Sequence, residues 1–268
     1  MAVAAALSLA VVAFQATAQE REVRAPLVTT PEEVVERMLA LAGTRAGDFV
    51  MDLGSGDGRI VIAAAKQFGA RGLGVEIDRK LVEASRENAR RAGVAAHVEF
   101  VERDVLRTDL SRATVVTVYL LPSLIDRLQP KFLGELRPGA RIVMHGFVMK
   151  GWKPDRSETV ELALRYGWRG DESTIYLWVV PARAHGVWVA RDWQLRIRQN
   201  FQMIEVAGDA FGRPIAVTEA KLEGASIRFA GAGFAYAGRV GADRIAGELT
   251  RAGKVSPLVF TKRVRNPG

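Results

Sequence analysis

The stretch FVMDLGSGDGRIVI, residues 49–62, constrains the fold more than any other part of the chain. Two apolar runs flank a turn with glycine at every second position: Gly54, Gly56 and Gly58. An apolar strand that passes through such a turn into an apolar helix is the first βα unit of an open α/β sheet. Sheets of that kind bind ligands at the carboxyl ends of their strands. Glycine permits positive φ and a close approach of backbone to ligand. The turn from Asp52 to Gly58, with Ser55 and Asp57 between the glycines, is therefore expected to hold a ligand.

The surrounding sequence repeats the strand–helix rhythm. TTPEEVVERMLALAG, residues 29–43, predicts a helix with Thr30 as N-cap, Pro31 at the first position and Glu33 closing a capping box. RIVIAAAKQFG predicts a helix ended by Gly69. GARGLGVEID and HVEFVERD predict the second and third strands, with RKLVEASRENARRAG as the helix between them. ATVVTVYLLP and ARIVMHGF predict the fourth and fifth strands, separated by helical turns interrupted at Pro130. Continuous rather than alternating apolar runs mark a parallel sheet covered on both faces. TVELALRYGW and STIYLWVV follow without a long helix between them and predict a terminal hairpin.

From Ala184 onward the pattern changes. In DWQLRIRQNFQM, Trp193, Leu195, Ile197, Phe201 and Met203 fall on one side, and Arg196, Arg198 and Asn200 on the other. That is the period of a half-buried antiparallel strand. The expected fold class is thus α/β. A Rossmann-like seven-stranded sheet with helices on both faces spans residues 26–183, and a small antiparallel β domain, a sandwich or partial barrel, spans 187–266.

The turn's chemistry narrows the ligand. A dinucleotide fingerprint reads G-x-G-x-x-G, whereas this spacing is G-x-G-x-G with Asp52 two residues ahead. An acid at the strand end repels a pyrophosphate but suits a ligand that carries an ammonium and a sulfonium. An NAD-dependent oxidoreductase is disfavoured on this ground. Ser55 lacks the G-x-S-x-G context of a hydrolase nucleophile elbow. Glu76 ends the second strand, where a carboxylate can accept from ribose hydroxyls, and Asp104 ends the third, where it can accept from an adenine amino group. With no cysteine, disulfides, thiolate metal sites and cysteine nucleophiles are excluded. The three histidines, His97, His145 and His185, show no metal-ligand spacing, and no metal is implied.

VMDLGSGDGRIVIAAAKQFGARGLGVEID resembles the first two motifs of class I S-adenosylmethionine-dependent methyltransferases. Together with VTTPEEVVERMLALA, VYLLP and LRPGARIVMHGF, it resembles one small family in particular. These are the protein-lysine methyltransferases whose mitochondrial members modify the adenine nucleotide translocase and the ATP synthase c-subunit, along with their bacterial relatives. The resemblance covers roughly residues 26–183 and stops before the β domain. It implies an S-adenosylmethionine cofactor with Asp52, Gly54, Gly56 and Gly58 around its methionine part. It further places Glu76 at the ribose, Asp104 at the adenine edge, and Thr30 and Pro31 closing over the cofactor. A protein lysine as acceptor is implied by the resemblance alone.

Tyr119, in YLLP at the end of the fourth strand, is the candidate catalytic residue: its phenol can orient an amine and its ring can face a cation. Nucleic-acid amino-methylating enzymes often carry Asn/Asp-Pro-Pro-aromatic at this place, and its absence here argues against a nucleobase target. Phe147 and Trp152 are candidates for the opposite wall of the acceptor pocket.

The chain's ends bear on its location. Residues 1–18 are apolar and finish in Ala16-Thr17-Ala18, the pattern of a cleavable export signal, although the first basic residue, Arg21, comes after the apolar run. The expectation is an exported, periplasmic protein if the segment is cleaved, and a membrane-anchored or cytoplasmic one if it is not. Residues 182–268 carry 14 Lys and Arg against 7 Asp and Glu, while the first 181 carry 24 against 23. A basic β domain admits an envelope, membrane-surface or nucleic-acid partner. The rival to an enzyme is thus a non-catalytic scaffold that keeps the cofactor fold and works through the β domain. Turnover separates the two.

Overall fold

The computed structural model describes residues 29–162 and 171–263. The apolar segment 1–18 and part of TVELALRYGW lie outside them. Among the described residues, no helix is long and apolar enough to cross a membrane.

The first unit is a seven-stranded sheet of strands β1 (Phe49–Leu53), β2 (Arg71–Glu76), β3 (Val98–Glu102), β4 (Val115–Val118), β5 (Arg141–His145), β6 (Arg156–Glu161) and β7 (Glu172–Val179). Their order is β3-β2-β1-β4-β5-β7-β6. The first five strands run parallel, and β7 is antiparallel to both β5 and β6, which is the terminal hairpin expected from the sequence.

Strand periodicity divides the core. Alternate side chains point to opposite faces, so Val50, Val115 and Val143 meet helices α1 (Glu32–Leu41) and α2 (Arg59–Phe68). Their neighbours Met51, Val116 and Ile142 meet helix α4 (Pro122–Glu135) through Ile125, Leu128 and Phe132. Helix α3 (Arg79–Arg91) packs with α2 over the β3 end through Val82, Ala89 and Phe100. Helices therefore cover both faces.

Two helix details differ from expectation. Thr30 does not cap α1: Pro31 is the N-cap residue and no side chain bonds the first turn. The Thr30 hydroxyl is drawn instead to His145 on β5, a partner 115 residues away. Pro130 does not interrupt α4, which runs continuously from Pro122 to Glu135. Pro130 is exposed, so its missing backbone bond lies on the wet side, while the buried face made by Ile125, Leu128 and Phe132 holds the helix together.

The second unit is one nine-stranded antiparallel sheet of strands β8 (Gly186–Ala190), β9 (Trp193–Asn200), β10 (Met203–Ala210), β11 (Arg213–Ile215), β12 (Val217–Glu223), β13 (Ser226–Gly231), β14 (Phe234–Val240), β15 (Arg244–Arg251) and β16 (Lys254–Lys262). The order is β11-β10-β9-β8-β16-β15-β14-β13-β12. The two ends of that order, β11 and β12, are adjacent in the chain, with only Ala216 between them. The sheet therefore curls almost into a closed barrel, filled by Trp188, Leu195, Ile197, Phe229, Tyr236 and Phe260. DWQLRIRQNFQM is not a single strand. The chain turns at Phe201-Gln202, which sends Met203 out to solvent on β10.

Candidate active site

The glycine turn sits at the carboxyl end of β1, between β2 and β4. Gly54, Gly56 and Gly58 have φ of 80°, 53° and 83°. These are left-handed values that side chains with a Cβ resist. The turn is tied to its neighbour strand by Gly54 N and Ser55 N, which both donate to Val75 O, at 2.8 and 3.0 Å.

Asp52 lies beneath this turn with 2% of its surface exposed. Its Oδ1 accepts from the Thr117 hydroxyl at 2.7 Å. Burial pushes its pKa up to about 7, against the Thr117 hydrogen bond, with Glu76 and Asp57 raising it further. Among the described residues no cationic side chain pairs with it. A carboxylate held there at a cost in desolvation is a site for a cation to be brought in. Beside it, the Ser55 hydroxyl is buried without a hydrogen-bond partner.

Glu76 ends β2 as expected. Its Oε2 accepts from Gly56 N at 3.0 Å, and its Oε1 from Ile77 N and Asp78 N at 2.8 and 3.0 Å. Three amides thus hold the carboxylate in one orientation under the turn. Asp104 follows β3 and caps a 3₁₀ turn, with Oδ1 accepting from Leu106 N at 2.8 Å. Glu76 thus lies beneath the turn, while Asp104 follows β3, one strand further out, and is oriented by the Leu106 amide.

Asp57 has a different role from its neighbours in the turn. Both its oxygens accept from the Arg59 guanidinium, at 2.7 to 3.2 Å, and this pairing lowers its pKa against the burial that raises it. Arg59 Nη1 also donates to Thr30 O at 2.9 Å. The pair therefore fastens the segment before α1 to the turn, and brings Thr30 over the site by its backbone. Thr29, Thr30, Asp52, Gly54, Ser55, Gly56, Asp57, Arg59, Ile60 and Tyr119 together line a cleft of about 360 Å3 including its mouth. Gly58, Glu76, Asp104 and Pro31 are not part of that lining, and Gly58 packs against Phe100 and Ser85 instead.

At the end of β4, Tyr119 borders the cleft. Its ring lies 4.2 Å from that of His145 and stacks on Phe147 at 6.2 Å. His145 is fully buried, with Nδ1 against Thr30 Oγ1 at 3.2 Å and Nε2 against Ser173 Oγ at 2.9 Å. It is a supporting residue that ties Tyr119 and Thr30 to the sheet. Phe147 and Trp152 do not form an opposite wall: Phe147 stacks on Tyr119 and does not line the cleft, and Trp152 is buried in the core.

Arg59 and Thr117 are residues bonded to the cleft's acids that reading the sequence missed. Thr117 had a signal, because it is the one polar side chain in the otherwise apolar strand Val115–Val118.

The residues fit S-adenosylmethionine. The buried acid supplies the counter-charge for its ammonium, the glycine turn leaves room for its methionine part, and the unpartnered Ser55 hydroxyl offers a further polar contact. Known proteins agree with this fit. Residues 52–156 match the family model described as ANTKMT methyltransferase domain. A protein-lysine N-methyltransferase of Saccharolobus islandicus is 40% identical over 156 residues, which span 58% of this chain and 93% of the archaeal one. The adenine nucleotide translocase lysine N-methyltransferase of Mus musculus is 37% identical, over 59% of this chain and 70% of its own. The Xenopus laevis lysine N-methyltransferase of the ATP synthase c-subunit is 37% identical over 50% of this chain, with 59% of its own length spanned. Among solved structures, an RNA methyltransferase from Salinibacter ruber in complex with S-adenosyl-L-homocysteine is 50% identical, covering 58% of this chain and 95% of its own, with a TM-score of 0.53.

Proposed function

The chain belongs to the family of S-adenosylmethionine-dependent protein-lysine N-methyltransferases that share the ANTKMT methyltransferase domain, and we propose that it methylates a lysine side chain of a protein. The observation that carries this reading is the pairing of a buried acid without a cationic partner, Asp52, with an aromatic acceptor wall at Tyr119 on the same cleft.

Bound S-adenosylmethionine supplies a methyl group already activated by a sulfonium. The chain's own work is then alignment and exclusion of water. Asp52 would meet the ammonium charge, and Glu76 and Asp104 would accept from the ribose and the adenine edge. The Asp57–Arg59 pair keeps the segment at Thr30 closed over the turn. Tyr119 orients the incoming amine, which the half-buried surroundings of Leu120 and Phe147 favour in its neutral, nucleophilic form.

The acceptor is tested by incubating the chain and methyl-labelled S-adenosylmethionine with purified ATP synthase c-subunit, adenine nucleotide translocase and structured RNA in parallel. Label recovered as Nε-methyllysine from a protein hydrolysate supports the reading, and label confined to RNA overturns it.

The reading extends to location. The barrel's Arg196, Arg198, Arg228, Arg239 and Arg251 are all exposed or nearly so, which supports contact with an anionic envelope or membrane surface after export. Co-sedimentation with anionic but not zwitterionic vesicles, lost at high salt, is the expected result. Equal binding to both vesicle types removes this extension.

A further inference from the structure

The joint between the sheet and the barrel is not accounted for by the cofactor site or by the matched family segment, which ends at residue 156. The loop that follows β5 begins at the acceptor wall and ends at the barrel. At its start Phe147 stacks on Tyr119. Met149 is buried in the sheet core. Gln129 of α4 holds the loop in the middle, with Nε2 donating to Lys150 O at 3.1 Å.

At the far end Trp152 is clamped from two sides. Its carbonyl accepts from Trp178 Nε1 at 2.9 Å, and its own Nε1 donates to Gln202 Oε1 at 3.0 Å. Gln202 Nε2 donates to Lys153 O at 2.7 Å. The Trp152 ring lies parallel to Phe201, 5.2 Å between centroids and 5° between planes. Phe201 and Gln202 form the tip of the β9–β10 hairpin, yet Phe201 packs against the core of the other unit.

This tip is built at a conformational cost. Phe201 has φ of 52°, a left-handed value that Arg191, Phe211 and Ala252 share at the other tight turns of the barrel. Gln199 fastens this turn to the segment that enters the barrel. Its Nε2 donates to Phe201 O and Ala182 O at 2.7 and 2.8 Å, and its Oε1 accepts from Ala184 N and His185 N at 2.7 and 3.0 Å. The exposed tips at Arg191, Phe211 and Ala252 face solvent, whereas this one packs against the sheet core. Here a phenylalanine is presented and locked.

We infer that the β9–β10 hairpin is a brace for the acceptor wall. Phe201 and Gln202 are positioning residues that fix Trp152 and Lys153, and through the loop hold Phe147 against Tyr119. The barrel domain thereby sets the geometry in which the acceptor is received. The inference rests on the methyltransferase reading only for the purpose of that wall.

The test uses the full chain labelled with 3-fluorotyrosine, whose four tyrosines give four fluorine resonances, Tyr119 being assigned by its loss in Tyr119→Phe. Gln202→Met keeps side-chain length and removes both amide bonds, and Phe201→Gly keeps the turn and removes the ring. Each variant is expected to shift or broaden the Tyr119 resonance while that of Tyr236 in the barrel stays put. The affinity for S-adenosylmethionine is expected to stay within about twofold. An unmoved Tyr119 resonance in both variants, or a Tyr236 shift as large as that of Tyr119, overturns the brace. Failure of the unaltered chain to bind S-adenosylmethionine would instead count against the methyltransferase reading.

Discussion

Thr117 donates its hydroxyl to Asp52 Oδ1 across directly paired positions of β4 and β1, so the one polar residue of an apolar strand orients the acid beneath the glycine turn. The pair makes binding of the cofactor depend on pH. Asp52 titrates near pH 7 in the folded chain because burial outweighs this bond, and it must be ionised to meet an ammonium. Affinity for S-adenosylmethionine should fall roughly tenfold per pH unit as pH drops below 7. Thr117→Val removes the hydrogen bond that lowers the Asp52 pKa and should move that fall to higher pH. Calorimetry between pH 5.5 and 8.5 checks both, and a flat profile contradicts the role of Asp52.

The same group acts on stability with the opposite sense to an ion-paired acid. Its folded pKa, about 7, is above the ordinary 3.8, so between those values the folded chain holds a proton that the unfolded chain has lost. The contribution of Asp52 to stability is therefore fullest below the ordinary value and is lost as pH rises through 7. Asp52→Asn should raise the melting temperature of the cofactor-free chain at pH 8 while abolishing cofactor binding. A variant that is both less stable and still binding would refute the assignment.

Gly58 starts α2 in the left-handed region, and a Cβ there would lie 2.7 Å from the Phe100 ring. Gly58→Ala combines backbone strain with overpacking and should cost roughly 2–5 kcal/mol in denaturant unfolding. A loss below about 0.5 kcal/mol, the range of a neutral surface change, would show that the turn is not held in this shape.

Tyr119→Phe keeps the stack on Phe147 and loses only the phenol oxygen. Cofactor affinity should be unchanged and turnover should drop about tenfold or more, the scale of a lost hydrogen bond to a charged or reacting group. Equal turnover in the two proteins would remove Tyr119 from the chemistry.

In the barrel, the buried Tyr236 hydroxyl is shared between Leu258 O at 3.0 Å and Ile245 O at 3.2 Å, and burial pushes its pKa up to about 12. Tyr236→Phe should destabilise the chain by about 1–2 kcal/mol through the carbonyls left short of a donor. Cofactor affinity should not change. A parallel loss of affinity would mean that the barrel core supports the cofactor site directly.

How far the sequence reveals this arrangement depends on how local each signal is. The glycine turn, Asp52, Glu76 and Asp104 are legible because strand ends and turn spacing are set by neighbouring residues. The seven-stranded sheet is legible for the same reason, through its repeated apolar runs. Thr30 reads as a cap because its true partner, His145, is 115 residues away and invisible to any local rule. Pro130 reads as a break because its sequence neighbours do not show that packing of Leu128 and Phe132 outweighs one lost backbone bond. Trp152 sits near the acceptor side in sequence, but the barrel pulls its ring into the joint. The near-closure of the barrel rests on β11 and β12 being separated by Ala216 alone, a break that carries no turn signature.

The most direct test is calorimetric titration of the purified chain with S-adenosylmethionine, with NAD as the control and Asp52→Asn alongside. Affinity on the order of micromolar is expected for S-adenosylmethionine alone, and its loss in the variant. Binding of NAD with similar strength, or unchanged S-adenosylmethionine binding by Asp52→Asn, would contradict the cofactor assignment.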